Sequence, residues 1–371
     1  MELYPEAYFL IVRYVDNRTD LCSLAQVSSS FRAAAERALY NTIQLSDPSK
    51  TRTVCRLFSS QPRISALVRA LSIVLREDVD DQQDEPSLPP DYWDCIARAL
   101  QQTKRLRHLN IHIDGSWDSV TAWVLRECSF QLYTFHCDLA WDPDLIRFLS
   151  TQSSLSDLYI ADFNEDTPDN IMITTGSLRQ ASSMPILSFL ECTFTEAVGA
   201  FAPGRPLTHV KTCFSRSEPN AKRAEMAILI SNLRLATKPL QSLDVADSSY
   251  TGRFSLEFLT HVVGAFSDNL SLRYLGALAL PVNGKERLQF YGQLRRLPLL
   301  QHMELELSEW DPLPATPAAL RAIANEIQLY CPSIQTVVFI CDFEPFVMRK
   351  SNGVWNLDDE TEAEALALWR H

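Results

Sequence analysis

Two histidines four residues apart, His108 and His112, are the side chains in this sequence whose spacing resembles a metal site. Four residues apart on a helix, two imidazoles can reach one ion. Here, however, the intervening Leu109 and Ile111 alternate with polar neighbours, which is typical of a strand. Four strand residues span about 13 Å, which is too far for one metal ion to bridge. We therefore expect no metal site and no cofactor.

Other catalytic patterns are also weak. Acidic pairs occur at 80–81, 84–85 and 358–360, but they lie in polar stretches, where burial cannot tune the pKa of a carboxyl group. The ten glycines form neither a Gly-x-Ser-x-Gly elbow nor a Gly-x-Gly phosphate loop. The nine cysteines include no Cys-x-x-Cys pair, which is typical of reduced thiols in the cytoplasm or nucleus. We expect a protein that is not an enzyme.

The composition is that of a soluble globular protein: 46% of the 371 residues are hydrophobic and 22% are charged. A net charge of −12 argues against a general nucleic-acid role. No apolar stretch approaches the length of about 18 residues that a membrane span needs, and no signal peptide is evident. Residues 1–76 hold ten basic and six acidic residues, a net of +4, which leaves −16 for the remainder and would favour a basic substrate there.

From residue 64 onward the chain repeats a short phrase with apolar residues at its first, fourth and sixth positions. Helical segments separate the phrases, and proline precedes five of them, where it would end a helix and start a strand. A doubly wound α/β domain also alternates strands and helices, but ten strands in about 275 residues are too many for one compact sheet of that kind. The ten phrases begin at residues 68, 106, 132, 155, 187, 207, 240, 272, 300 and 334.

This alternation resembles the leucine-rich repeats, which implies parallel strands on a concave face and helices on the convex side. The expected fold class is therefore α/β: three N-terminal helices followed by an irregular leucine-rich-repeat-like solenoid. Side chains alternate along a strand, so the residues between the apolar positions would line the concave face. They either bind a protein substrate or form a merely solvated strand face. They are His108, Asn110, His112, His136, Tyr159, Glu191, His209, Lys211, Asp244, Tyr274, His302, Glu304 and Glu306.

The first 45 residues predict three short helices: one over 5–15, a second starting at Thr19 or Asp20, and a third from 28–30 to 40–43. Three such helices cannot bury this much apolar surface among themselves. The segment resembles the F-box in its residues and their spacing. The residues that carry the resemblance are Pro5-Glu6, Ile11-Val12, Tyr14-Val15, Asp20-Leu21, Leu24, Val27-Ser28, Phe31-Arg32 and Leu39-Tyr40.

The resemblance implies that these helices bind the Skp adaptor, and through it a cullin, in a Skp–cullin–F-box ubiquitin ligase. The repeats would then hold a protein substrate, and the mildly basic N-terminal part would suit an acidic adaptor. The alternative is that the helices only cap the following repeats in a scaffold protein. The implied anchor residues are Pro5, Leu10, Ile11, Leu24, Val27 and Phe31.

The sequence thus divides into an F-box-like segment (1–45), a repeat region (46–350) and an acidic tail (351–371). Residues 77–90 predict a polar insertion between the first two repeats. Asp358 or Asp359 would cap a final helix. Ala363, Leu366, Ala367 and Trp369 would pack that helix onto the last repeat or elsewhere.

Overall fold

A computed structural model describes residues 4–75, 88–113, 121–161, 183–247, 251–266, 271–358 and 367–371, together with residues 176, 178 and 249. Most of the expected insertion at 77–90 and the positions 359, 363 and 366 of the expected final helix lie outside the described residues. The chain forms two compact units, residues 1–184 and 185–371, each of which is a mixed α/β unit.

The three N-terminal helices of unit 1 begin where proline and capping side chains can start them. Pro5 is the first residue of the first helix, and the Ser28 hydroxyl accepts a hydrogen bond from the Phe31 N–H at the start of the third. The predicted cap of the second helix at Thr19 or Asp20 was wrong. Asn17 caps it, because its side-chain oxygen accepts from the Thr19 N–H at 2.8 Å.

Unit 1 continues as a parallel sheet whose strands pair in chain order, from the first strand to the fifth. The helices are α1 (Pro5–Arg13), α2 (Arg18–Val27), α3 (Ser29–Asn41), α4 (Pro48–Ser60), α5 (Pro62–Ser65), α6 (Tyr92–Gln102) and α7 (Pro143–Ser150). The strands are β1 (Thr42–Leu45), β2 (Ala70–Leu75), β3 (His108–Ile113), β4 (Thr134–Cys137) and β5 (Asp157–Ile160).

Unit 2 has a sheet of six parallel strands, again paired in chain order, followed by an antiparallel hairpin. Its helices are α8 (Glu196–Phe201), α9 (Pro219–Leu233), α10 (Gly252–Ala265), α11 (Gly284–Leu294) and α12 (Pro317–Tyr330). Its strands are β6 (Phe189–Cys192), β7 (His209–Cys213), β8 (Ser242–Ala246), β9 (Tyr274–Ala279), β10 (His302–Glu306), β11 (Thr336–Cys341), β12 (Glu344–Ser351) and β13 (Val354–Asp358).

The predicted strands are confirmed: each of the ten apolar phrases contains one strand, which begins two residues after the first apolar position. The apolar positions are buried and stack from strand to strand. In unit 1 Leu71, Leu109 and Phe135 are register partners, and each is at most 2% exposed. Burying one such side chain contributes about 1.5–3 kcal/mol. The repeated phrase therefore builds the core, and it turns the intervening residues of every strand to the opposite face.

Helix starts predicted from sequence are also present. The Asp142 carboxylate accepts from the Leu145 N–H at 2.8 Å at the start of α7, and the Thr316 hydroxyl accepts from the Ala319 N–H at 3.3 Å at the start of α12. Each such cap contributes about 1 kcal/mol. Every helix within the described residues is too short or too polar to cross a bilayer.

The C-terminal boundary differs from the expected one. The strand β12 ends at Ser351, the residue at which the tail was expected to begin, and the hairpin continues the sheet to Asp358. Asn352 and Gly353 form its tip with φ values of 52° and 82°, the left-handed conformation that tight hairpin turns require. Residues 351–358 are therefore part of the sheet.

Candidate functional site

The helices α1–α3 pack around a small apolar cluster. Tyr8 and Val12, one turn apart on α1, and Val15, just after the helix, meet Leu21 and Leu39 there. Two expected adaptor anchors, Leu24 and Phe31, also pack against this cluster, and Phe31 makes an edge-to-face contact with Tyr8 at 4.8 Å between ring centroids. These two side chains hold the helices together.

Three other expected anchors lie in solvent. Leu10 is 57% exposed, Ile11 41% and Val27 66%. Pro5 starts α1, as described above. Tyr14, which is among the residues that carry the F-box resemblance but was not an expected anchor, is 84% exposed and follows Leu10 by one helical turn. We call Leu10, Ile11, Tyr14 and Val27 the helical surface. The helical spacing of Leu10 and Tyr14, four residues apart, is the sequence signal that places Tyr14 beside Leu10.

The residues opposite the core form a polar face on each unit. In unit 1 this face carries His108, Asn110, His112, His136 and Tyr159, and the strand register aligns Asn110, His136 and Tyr159 in one row. Neighbouring strands lie about 4.8 Å apart, so this row presents three polar groups within about 10 Å. His108 and His112 are exposed, and the other three are half-buried.

Hydrogen bonds fix the side chains of the unit 1 polar face. His112 Nδ1 lies 2.6 Å from the Asp138 carboxylate, whereas His108 Nδ1 lies 3.2 Å from the Thr134 hydroxyl. The two histidines thus have separate partners and do not converge on one point. Within the described residues no three His, Cys, Asp or Glu side chains are arranged to hold a metal ion.

The Asn110 amide donates to the Ser72 hydroxyl at 3.2 Å, and His136 Nε2 lies 3.2 Å from the Asp157 carboxylate. The His136 ring also meets the Tyr159 ring edge-to-face at 5.9 Å. Side chains held in this way lose little entropy when they bind a partner. The unit 1 polar face is therefore a rigid surface that presents both donors and acceptors.

The polar face of unit 2 carries Glu191, His209, Lys211, Asp244, Tyr274, His302, Glu304 and Glu306, as the strand pattern predicts. It is not free, however. Tyr274 is 1% exposed, Asp244 3% and His209 6%. The expectation of an open wall was therefore wrong for these three residues. Lys211 Nζ lies 3.5 Å from the Asp244 carboxylate, and the Tyr274 hydroxyl donates to the Glu304 carboxylate at 3.2 Å.

Residues Ala367–His371, here called the cover segment, lie on this face. Leu368 and Trp369 pack in one cluster with Tyr274, Val338 and Val347, and Trp369 is only 2% exposed. The segment does not form the cap on the last repeat that was one of the two placements expected for Trp369.

The charged end of the cover segment meets the other edge of the face. The Arg370 guanidinium lies 2.9 Å from the Glu191 carboxylate, and His371 makes a backbone hydrogen bond with the His209 side chain. The Phe189 ring stacks on His209 at 4.2 Å. The cover segment thus contacts strands from β6 to β12.

Burial perturbs the ionisable groups of the unit 2 polar face. It raises the pKa of Asp244, and it raises the pKa of Glu304 to about 7, helped by repulsion from Asp244. Burial lowers the pKa values of His209 and His302, and the positive groups nearby lower them further. The two imidazoles are therefore neutral at pH 7.

Three cysteine thiols are held in the protonated form by burial. Burial raises the pKa values of Cys55, Cys128 and Cys192 to about 12, so these thiols keep their protons at neutral pH. A protonated thiol is a poor nucleophile.

No family model matches the chain, and no curated protein matches it. Among solved structures, the leucine-rich repeat-containing protein LegL7 from Legionella pneumophila is similar over 94% of this chain and 86% of its own, at 14% identity and a TM-score of 0.35. A ribokinase from Giardia lamblia is similar over 58% of this chain and 63% of its own, at 11% identity and a TM-score of 0.24. The alternation of strands and helices is shown by the order of elements in each unit, and the parallel pairing of the strands by their hydrogen bonds.

Proposed function

We propose that this chain is the substrate-receptor subunit of a Skp–cullin–F-box ubiquitin ligase. In this proposal the helices within residues 1–45 bind a Skp-type adaptor and through it a cullin, and the leucine-rich-repeat-like region that follows holds a protein substrate. The chain performs no bond chemistry. It raises the rate of ubiquitin transfer by keeping the substrate close to the charged conjugating enzyme, which increases effective concentration.

The proposal rests on the exposure of the helical surface. Leu10, Ile11, Tyr14 and Val27 lie in solvent although the cluster beneath α1–α3 is formed and filled. Fully burying one large apolar side chain contributes about 1.5–3 kcal/mol, so a partner that covers these four gains substantially. Leu10 and Tyr14 lie one helical turn apart, and exposed apolar side chains that lie side by side mark protein interaction sites.

The resemblance to the F-box supports the choice of partner. Three residues that it implies as adaptor anchors, Leu10, Ile11 and Val27, are among those left in solvent. The part of the chain before residue 77 carries a net charge of +4. This charge favours an acidic partner through electrostatic steering.

Protein binding by the repeats is supported by the unit 1 polar face. Asn110, His136 and Tyr159 form one row of pre-oriented donors and acceptors. Rigid strands that present polar and aromatic groups make suitable recognition surfaces. The substrate would contact these side chains together with His108 and His112.

Co-purification with a Skp-type adaptor tests the adaptor side of the proposal. The wild-type chain is expected to retain the adaptor, and Leu10→Asp combined with Ile11→Asp is expected to abolish retention, because both residues are exposed and the change leaves the core untouched. Leu288→Asp is the matched control, since Leu288 in α11 is also 57% exposed. Failure of the wild type to retain the adaptor would refute the proposal.

A second function is favoured by the way α3 joins the repeats. The helix leads directly into β1 without a linker, and an ion pair between Glu36 and Arg63 ties it to α5. This arrangement suits an N-terminal cap on a non-catalytic interaction scaffold. In that case the adaptor would not bind, and the double variant at Leu10 and Ile11 would behave like the wild type in binding other partners.

A further inference from the structure

The polar face of unit 2 combines an acidic side with an apolar side. Glu191, Asp244 and Glu304 lie on strands β6, β8 and β10, and Lys211 on β7 lies between the first two. Beside them, Tyr274 and Val338 form part of an apolar cluster on the same face. Such a face fits a ligand that carries a large apolar group next to a cation.

The cover segment has this chemistry. Trp369 fills the apolar side and is 2% exposed, while the neighbouring Arg370 reaches Glu191 with a contact of 2.9 Å between Nη2 and Oε2. The Arg370 guanidinium also lies over the Trp369 ring at 4.5 Å from its centroid. The aromatic and the basic side chain therefore act as one recognition unit.

The cover segment sits on the face through its side chains and not as a further strand of the sheet. Its backbone forms a local turn, in which the Arg370 N–H donates to the Ala367 carbonyl at 2.9 Å and the His371 N–H to the Leu368 carbonyl at 3.2 Å. A separate peptide that adopts the same turn can make the same side-chain contacts.

Two buried polar atoms on the unit 2 polar face indicate that it has further capacity for a ligand. Ser242 Oγ and His302 Nδ1 make no hydrogen bond within the described part of the chain. Both residues belong to the strand row of Tyr274, the residue against which Leu368 and Trp369 pack. Buried polar atoms without partners are unfavourable, so a ligand that offers a donor or an acceptor here gains binding energy.

We propose that the polar face of unit 2 is a binding site for a protein segment in which an aromatic residue is followed by arginine, and that the cover segment occupies this site in the unliganded chain. The conclusion that such a segment is the receptor's substrate rests on the proposed function. The conclusion that the unit 2 polar face binds such a peptide rests only on the residues of that face. The cover segment belongs to the same chain as the site, so a partner must compete with it for the site.

Fluorescence anisotropy of the full-length chain with a fluorescein-labelled pentapeptide, Ala-Leu-Trp-Arg-His, tests the proposal. The variant Trp369→Ala/Arg370→Glu vacates the site and is expected to bind the peptide at least tenfold more tightly than the wild type. A peptide with Ala-Glu in place of Trp-Arg is expected to bind this variant at least tenfold more weakly. Adding Glu191→Arg to the variant is expected to weaken its binding of the original peptide.

Arg147→Glu is the matched control for the charge change, because Arg147 lies in unit 1 with a side chain that is 72% exposed. It should leave peptide binding at the wild-type level. Equal binding by the wild type and the folded double variant would overturn the proposal. If circular dichroism shows that the double variant does not fold, Arg370→Glu alone is used; it is expected to strengthen binding several-fold, and unchanged binding would overturn the proposal.

Peptide binding and adaptor binding use different parts of the chain, so their failures can be told apart. A chain that binds the peptide as predicted but does not retain the adaptor would refute the receptor function and leave the peptide site standing. A chain that retains the adaptor but does not bind the peptide would refute the peptide site and leave the receptor function standing.

Discussion

Replacing Glu304 with glutamine should change how the stability of this protein depends on pH. The carboxyl group of Glu304 is half-buried on the unit 2 polar face, and burial raises its pKa from the usual 4.5 to about 7. The folded state therefore keeps a proton on Glu304 at pH values where the unfolded chain has lost it. The stabilisation is complete below about pH 4.5, falls as the pH rises, and is lost above about pH 7.

The size of the effect follows from the shift in pKa. A difference of about 2.5 pKa units corresponds to about 3 kcal/mol. Because Glu304 keeps some contact with water, we expect a measurable difference of about 2 kcal/mol between pH 5 and pH 8. Glutamine has no proton to lose, so Glu304→Gln should gain this amount relative to the wild type when the pH is raised.

Urea unfolding of both proteins at pH 5 and at pH 8 measures the effect. The free energy of unfolding of Glu304→Gln minus that of the wild type should be about 2 kcal/mol larger at pH 8. Glu344→Gln, in the exposed part of β12, is the control and should show the same difference at both pH values. A pH-independent difference for Glu304→Gln would refute the reasoning, because it would mean that the carboxyl group is fully in water.

Substitutions at Gly276 and at the Lys222–Asp247 pair test the packing of unit 2 by thermal unfolding, with Gly292→Ala as a control. A Cβ at Gly276 would lie 2.5 Å from the Tyr274 hydroxyl oxygen, so Gly276→Ala should destabilise the fold by about 1–3 kcal/mol. Gly292→Ala in α11, where the added Cβ has open space around it, should be neutral or stabilising. Lys222 Nζ lies 2.6 Å from the Asp247 carboxylate and both side chains are 5% exposed, so Lys222→Met should cost about 3–5 kcal/mol. Adding Asp247→Leu should recover most of that loss; a double variant no more stable than Lys222→Met would contradict the assignment of a buried ion pair.

The parallel strands could be predicted because each uses the same apolar phrase. Leu190, Val210 and Leu243 occupy the fourth position of three successive phrases and become register partners in the sheet. The apolar positions of each phrase in the sequence are the positions that its strand buries in the sheet, so the sequence pattern and the packing agree. The strand β1 was missed because it lies before residue 64, where the phrase begins to recur. It also follows α3 directly, so its first residues were assigned to the end of the third helix.

The C-terminal hairpin was missed although a signal for it exists. Residues up to 350 were assigned to the repeat region without a strand after β11, and residues 351–358 were assigned to the acidic tail. Asn352-Gly353 between two strand-like stretches is a strong hairpin signal, because both residues tolerate the left-handed backbone that such a turn needs. Using it would have extended the sheet to residue 358.

The cover segment could not be predicted from the sequence. Its ion pair joins Arg370 to Glu191, residues 179 positions apart, and no local periodicity links them. Trp369 also fits a helix that packs onto the last repeat, one of the two placements that the sequence leaves open. Whether the polar face of a unit is open or covered therefore depends on tertiary contacts and not on the strand pattern.

Hydrogen–deuterium exchange of the full-length chain, alone and mixed with a purified Skp-type adaptor, tests the central claim most directly. The account predicts a stable complex in which amides of residues 5–27 exchange more slowly, because the adaptor covers Leu10, Ile11, Tyr14 and Val27. Exchange on the unit 2 strands should be unchanged. Formation of no complex, or protection confined to the repeats, would contradict the account.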